Sequence, residues 1–425
     1  MMRLWLLFQR YRRYGRHALW IVPFSAIILE LIVYRLLHAL DDMLGWQLER
    51  FSAAGAQALL QTITTMALSF VVFTFGSLLV AIQVAGGQLT PRIIATTLLR
   101  DNVVRYTVGL FVFTLLFAIS ALNRIKGTGD QLVLFVAALL GLLSIAAFLY
   151  LIDYAARLLR PVSILSRVGE DGITVIEAVY PQPAQGPSLP HVKPQTDGMP
   201  SRIVYHTGRS EVILSVNTEI LLAESQKANA VVELLPVVGD FVGTDEPLFT
   251  LYGNVSGIDE NILFSSVQFG IERTLEQDPT FAFRIILNIA LKALSPAIND
   301  PTTAVLAIDQ LQRLLRNVGE RNLRTDNITD ESGKLRVIFR TPNWGDFVNL
   351  ACTELRRYGA DSIQVVRRLR AMIENLIRTL PEDRHAALQA QLALLDHAIE
   401  AVYVFPEELA LARATDSQGL GGTPI

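Results

Sequence analysis

The pattern of apolar and polar positions divides the chain near residue 160. Before it, long apolar runs dominate. After it, apolar residues recur at strand or helix spacing. The central run is Gln57 to Gly87, QALLQTITTMALSFVVFTFGSLLVAIQVAGG, which carries no formal charge. As a helix it measures about 45 Å, longer than the roughly 30 Å hydrocarbon core of a bilayer. Its polar and small residues keep to one track. Thr62, Ser69, Gly76 and Gln83 lie seven apart, with Thr65 and Gly86 on the neighbouring track, and positions seven apart share nearly one helix face. Met66, Phe70, Phe73 and Val80 make up the greasy side. Two readings stay open for the wettable face: close helix packing through small residues, or the lining of a water-facing pathway.

Three further runs predict membrane spans. The first is Leu19 to Leu40, with Pro23 in its opening turns, where a missing backbone donor costs least. Glu30 falls near its middle, and Tyr34 and His38 follow at helical spacing. A carboxylate at that depth is costly, so Glu30 is either a structural acid bonded to a hydroxyl of a neighbouring span or part of a proton or cation relay. The other two spans are about Val103 to Leu122 and Gln131 to Ile152; in the last, Ala137, Gly141 and Ser144 offer a face for close helix contact. Five arginines between Arg3 and Arg16 place the N-terminus in the cytoplasm by the positive-inside rule. The hydrophobic run that follows is too long for a secretory leader and has no small-residue cleavage site, so it reads as a retained anchor. Four spans return the chain to the same side, which makes everything after residue 160 cytoplasmic.

Residues 161–180 predict a short amphipathic helix beside the membrane, and residues 181–200, with six prolines, an extended linker. Residues 201–258 are β-rich. RIVYH and SEVILSV flank the turn Thr207-Gly208-Arg209, and AVVELLPVVGDFVGTDEPLFTLYG has the hairpin rhythm of a biotinyl- or lipoyl-type barrel-sandwich, without a lysine at the tip to carry a cofactor. Residues 259–411 predict a helical α+β region. Asp278-Pro279 and Asp300-Pro301 are paired cap and first-turn signals for two helices of a tight hairpin. In the connecting motif Ser295, Pro296, Asn299, Asp300, Pro301 and Thr302, cap chemistry competes with an ion or polar ligand contact at a helix start. A strand at 334–340 and helices at about 344–358, 361–380 and 382–405 follow, with Arg367, Arg368, Arg370 and Arg378 expected on solvated faces. Residues 412–425, rich in Gly and Ser, predict a disordered tail.

Composition narrows the chemistry. A formal net charge of -3 argues against a nucleic-acid partner. One cysteine, Cys352, excludes an internal disulfide framework, and the six histidines fall in different segments, so no metal or cofactor is expected. No phosphate loop, dinucleotide fingerprint, zinc-protease motif or nucleophile elbow is present, and no enzymatic activity is expected.

The segment KALSPAINDPTTA at 292–304, together with QLTPR at 88–92, GDFV at 239–242 and FGIERTLEQDP at 269–279, resembles a family of bacterial predicted inner-membrane proteins of unknown function. That resemblance covers nearly the whole chain and implies four membrane spans, a soluble C-terminal half and a place in the cytoplasmic membrane. It carries over no catalytic residue. With the wettable face of the second span, the expectation is a homo-oligomeric channel or pore for ions or small solutes, with a cytosolic assembly or gating domain. The alternative is a membrane-anchored regulatory or interaction module without transport.

Overall fold

The computed structural model describes residues 26, 28–30, 32–33, 35–36, 52–88, 101–124, 131–158, 160–184, 198–323 and 327–422. Its contacts divide into two units, Met1–Ile164 and Leu165–Ile425.

In the first unit, α1 (Ala53–Gln88), α2 (Asn102–Arg124) and α3 (Gln131–Leu158) are each long and apolar enough to cross a membrane. They close on a core that includes Leu60, Ile63, Phe117, Ala118, Val133 and Ala137. Gly141 permits the approach of α3 to α1, since a Cβ there would lie 3.2 Å from Ile63 Cγ1. The predicted small face of α3 is buried, and Ser144 shares a 3.0 Å hydroxyl hydrogen bond with Thr114 of α2. Phe70 stacks on Phe148 at 4.1 Å, and Tyr154 donates to Asp101 Oδ2 at 2.6 Å. Three of the four expected spans therefore stand among the described residues. The expected span at 19–40 lies mostly outside them, as do Tyr34 and His38. Its described residues are helical, with Ile28, Leu29, Ile32 and Leu36 exposed and Ala26 and Glu30 buried.

The second unit is α+β. Its strands are β1 (Ser201–Tyr205), β2 (Glu211–Val216), β3 (Ala230–Leu234), β4 (Phe241–Val242), β5 (Pro247–Gly253), β6 (Val267–Gly270), β7 (Asn327–Thr329) and β8 (Leu335–Phe339). The predicted strands form, but their partners differ from a run of hairpins. β1 is the edge of a five-stranded sheet ordered β1-β5-β3-β8-β7, whereas β2 is the centre of a three-stranded sheet, β4-β2-β6. The turn at 207–209 thus carries the chain from one sheet to the other. Both sheets face one core, where Val204, Ile213, Val232, Phe249 and Val337 meet Leu221 and Leu263. Strands from beyond residue 258 complete both sheets, through β6 against β2 and the parallel pairing of β8 with β3.

The remaining helices of this unit are α4 (Pro161–Val179), α5 (Thr218–Ala228), α6 (Glu260–Ser266), α7 (Pro279–Ala293), α8 (Pro301–Gly319), α9 (Trp344–Tyr358), α10 (Ile363–Thr379), α11 (His385–Val402) and α12 (Pro406–Arg413). The amphipathic helix expected at 161–180 is α4, and it packs against α7 and α8. A Cβ on Gly172 would come within 2.7 Å of Ala282 Cβ and 3.0 Å of Leu314 Cδ2. The linker expected after it falls largely outside the described residues.

Two expectations are overturned. Arg367, Arg368 and Arg370 are not solvated. They are buried, because each guanidinium finds fixed acceptors on other elements. Arg368 Nε donates to Asp309 Oδ1 at 2.7 Å, and Arg370 pairs with Asp396. Only Arg378 of that set is exposed. The tail is also folded over its described residues, 412–422. Ala412 is fully buried, and Asp416 accepts the backbone N–H groups of Gln418, Gly419 and Gly421. Arg367 Nε donates to Ala414 O at 3.1 Å, and Gln364 Nε2 to Gly419 O at 2.6 Å. Gly419 and Gly421, with φ 69° and 74°, permit a tight carboxylate-centred turn instead of disorder.

Candidate functional site

In the first unit the candidate face lies on α1. The residues that α1 buries are Leu60, Ile63, Ala67, Thr74, Leu78 and Ala81. At 3.6 residues per turn, Thr62, Thr65, Ser69, Gly76 and Gln83 lie about 180° away from them. All five are exposed, and nothing lies within 4 Å of a Cβ built on Gly76. Phe73 and Val80 flank this stripe instead of opposing it, and both are exposed. The stripe's hydroxyls bond within the helix: Thr62 to Ala58 O at 2.8 Å, Thr65 to Gln61 O at 3.0 Å and Ser69 to Thr65 O at 2.8 Å. Such bonds satisfy the donor and leave oxygen lone pairs facing outward. Among the described residues the stripe therefore takes no part in packing. Gly86 falls in the last turn of α1. Glu30 is 2% exposed, and its Oε1 is buried without a hydrogen-bond partner among the described residues. His38 lies outside the described residues.

The motif at 295–302 is a helix connection. Asn299 takes the left-handed conformation, φ 47°. Asp300 caps α8 by accepting Thr303 N at 3.1 Å and Thr303 Oγ1 at 2.5 Å. Ser295 Oγ donates to Lys292 O at 2.7 Å. Pro296, Asn299 and Thr302 are exposed, and Pro301 is half-buried. The local bonds of Ser295 and Asp300 are those of a turn and a cap.

Sequence reasoning did not single out a cleft of about 640 Å³ in the second unit. Separate pieces of chain wall it: Val179 and Tyr180 at the end of α4, Val216 and Thr218 between β2 and α5, Val237 and Val238, Glu276 to Pro279, β7, and Phe339 to Pro342. Two motif pieces from the sequence meet at its wall. Gly239 of GDFV has φ +95°, and a Cβ there would lie 2.5 Å from Asp278 Oδ2 and strike the Arg273 guanidinium. Only glycine leaves room for that ion pair, in which Arg273 Nε stands 3.1 Å from Asp278 Oδ2. Asp278 Oδ1 meanwhile caps α7, accepting Phe281 N at 3.2 Å and the Thr280 hydroxyl. Burial pushes the Asp278 carboxyl above the usual carboxylate range, against the lowering effects of Thr280, Arg273 and Phe281 N. Burial, and then the charge of Asp278, also push the Tyr180 phenol up, while a hydrogen bond with Thr341 pulls it down. Gln277 Oε1 accepts Val216 N at 2.8 Å, which ties the approach to α7 to the three-stranded sheet. The 295–302 motif stands at the other end of α7, about 22 Å along the axis.

Among the described residues no three His, Cys, Asp or Glu side chains are grouped to hold a metal ion. The cleft has apolar walls with a few polar groups among them, a make-up common to small-molecule sites.

An uncharacterized protein of Mycobacterium bovis is 24% identical over 434 aligned residues, covering 96% of this chain and 82% of the relative. An uncharacterized protein of Mycobacterium tuberculosis matches with the same identity and coverage. No solved structure matches. The family described as "Predicted membrane protein (DUF2254)" matches residues 16–375. With apolar helices long enough to span a bilayer and a match over most of its length, the chain belongs to that membrane protein family.

Proposed function

We propose that the protein is a homo-oligomeric conduit of the bacterial cytoplasmic membrane for ions or small solutes, with α1 at the subunit interface and along the path. The observation that carries this reading is the small and polar stripe of α1, exposed on the side opposite the packed core. Facing lipid, a stripe of hydroxyls, glycine and an amide gains nothing. Facing copies of itself around a symmetry axis, it allows close approach and offers oxygen lone pairs to water. The lining has no formal charge, which suits a weakly selective path. Both termini stand in the cytoplasm by the distribution of arginines, and the soluble unit serves assembly and gating. The function is transport, not catalysis.

The test is cysteine accessibility in native membranes. Single cysteines at positions 62, 69 and 76, in a Cys352→Ala background, react with a membrane-impermeant thiol reagent, and a cysteine at position 67 on the packed face does not. Reconstituted protein conducts, and Ser69→Leu reduces the conductance. Unreactive stripe cysteines together with no flux under voltage, tension or pH steps end the reading.

The cleft favours a second reading, a membrane-anchored regulatory module whose soluble unit binds a ligand without transport. The same experiment separates the two, since that reading needs no water at α1.

A further inference from the structure

The lining of the 640 Å³ cleft carries three charged side chains, Glu276, Asp278 and Arg340. Asp278 is paired with Arg273, and Glu276 already has a partner. Arg340 follows the end of β8, lines the cleft and is exposed, and it has neither an ion pair nor a hydrogen bond among the described residues. Of the three charged side chains in the lining it is the one without a partner among the described residues. Thr218, Asn327, Thr329 and Thr341 also line the cleft, with hydroxyl and amide groups. The other walls are Val179, Val216, Val238, Ile328, Phe339 and Pro342, an apolar surface. The volume lies in the range of small-molecule sites.

We propose that this cleft binds an amphipathic organic monoanion, its apolar body between Val216, Val238, Ile328 and Phe339 and its carboxylate on Arg340. A guanidinium presents a planar fork of donors that matches a carboxylate, and such charge-assisted bonds are about twice as strong as neutral ones. A cationic head would meet the free guanidinium with like charge. An apolar body without a charged head would leave Arg340 unused. The binding claim does not rest on transport, and its assay contains no flux measurement.

The experiment uses the full chain in lipid nanodiscs and ligand-observed NMR. Three probes share one body and differ in the head: 4-phenylbutyrate, 4-phenylbutanol and 4-phenylbutylamine. The expected order has phenylbutyrate binding at least about tenfold more tightly than the alcohol, and the amine weakest. Arg340→Gln, a change at an exposed position, removes the preference for the anion. Thr329→Trp fills the cleft from an exposed position and abolishes protein-dependent binding of all three, leaving only the partition seen with empty nanodiscs. Asp300→Asn, away from the cleft, changes nothing. Equal binding of the three heads, preference for the amine, the absence of protein-dependent binding, or an anion preference that survives Arg340→Gln overturns the proposal.

Discussion

Asp416→Asn tests whether a single carboxylate holds the C-terminal segment in place. In the native chain Asp416 Oδ1 accepts Gln418 N at 3.0 Å and Gly419 N at 2.8 Å, and Oδ2 accepts Gly421 N at 2.7 Å. Arg367, 1% exposed, lies within the same turn and donates to Ala414 O and Gly422 O. The substitution keeps one acceptor oxygen, turns an NH2 toward Gly421 N, and removes the charge. A hydrogen bond to a charged group contributes about 1.5–3 kcal/mol and a neutral one about 1 kcal/mol. Losing one charged bond and weakening two others sums to roughly 2–3 kcal/mol, after discounting for partial exposure. At 1.36 kcal/mol per tenfold, the segment opens about 30- to 150-fold more often. Amide hydrogen exchange of the full chain reads this directly. Gln418, Gly419 and Gly421 lose protection by that factor, and the amides of α7 and α8 keep theirs. Burial alone pushes the Asp416 carboxyl up, but the N–H groups of Gly421, Gly419 and Gln418 and the Arg367 charge outweigh it and hold it below the usual range. Its contribution is therefore whole at neutral pH and drains away only as pH falls below about 4, the unfolded value. Unchanged exchange at those three amides, or an equal rise across the unit, refutes the reasoning.

Three further outcomes follow from the geometry. Gly172→Ala forces a Cβ to 2.7 Å from Ala282 Cβ, so it costs about 1–3 kcal/mol and lowers the melting temperature of the detergent-solubilised chain, whereas Gly76→Ala, with nothing within 4 Å, leaves the fold of a single chain unchanged. Ser144→Ala strips the buried Thr114 hydroxyl of its partner and costs about 1 kcal/mol, read as a lower unfolding midpoint on titration with a denaturing detergent. Burial pushes the Cys352 thiol up to about 12, so N-ethylmaleimide at pH 7.5 leaves the native chain unmodified and labels it fully once denatured.

Much of this architecture is written locally. Asp278-Pro279 and Asp300-Pro301 start helices where the cap-and-proline rule puts them, and Asn217 caps α5 by accepting Ile220 N at 3.1 Å. These are readable because cap, proline and first turn lie within four residues of one another. Strands at 201–205 and 335–339 were equally legible, but their partners were not. The β3–β8 ladder joins Val232 to Val337, more than a hundred positions along the chain, and no short-range pattern selects that pairing. The arginines of α10 show the same limit. A charged run reads as a wet face until Asp309 and Asp396, from two other helices, take the guanidiniums out of water.

The candidate sites divide along the same line. The small and polar stripe of α1 was visible because heptad spacing alone puts Thr62, Ser69, Gly76 and Gln83 on one side of a helix. That this side turns away from α2 and α3 was decided only by packing, since Leu60, Ile63, Ala67 and Thr74 compete for the interior and win it. The cleft had no local signature at all. Its residues come from separate stretches between Val179 and Pro342, and Arg340 gains meaning only once Asp278 is seen to be paired with Arg273. The sequence by itself determined which segments are apolar and long enough to cross a bilayer and where most helices begin, because hydropathy and capping act over a few residues. Only the tertiary structure decided which charges are neutralised and which surfaces are left open, because those depend on groups that approach through space.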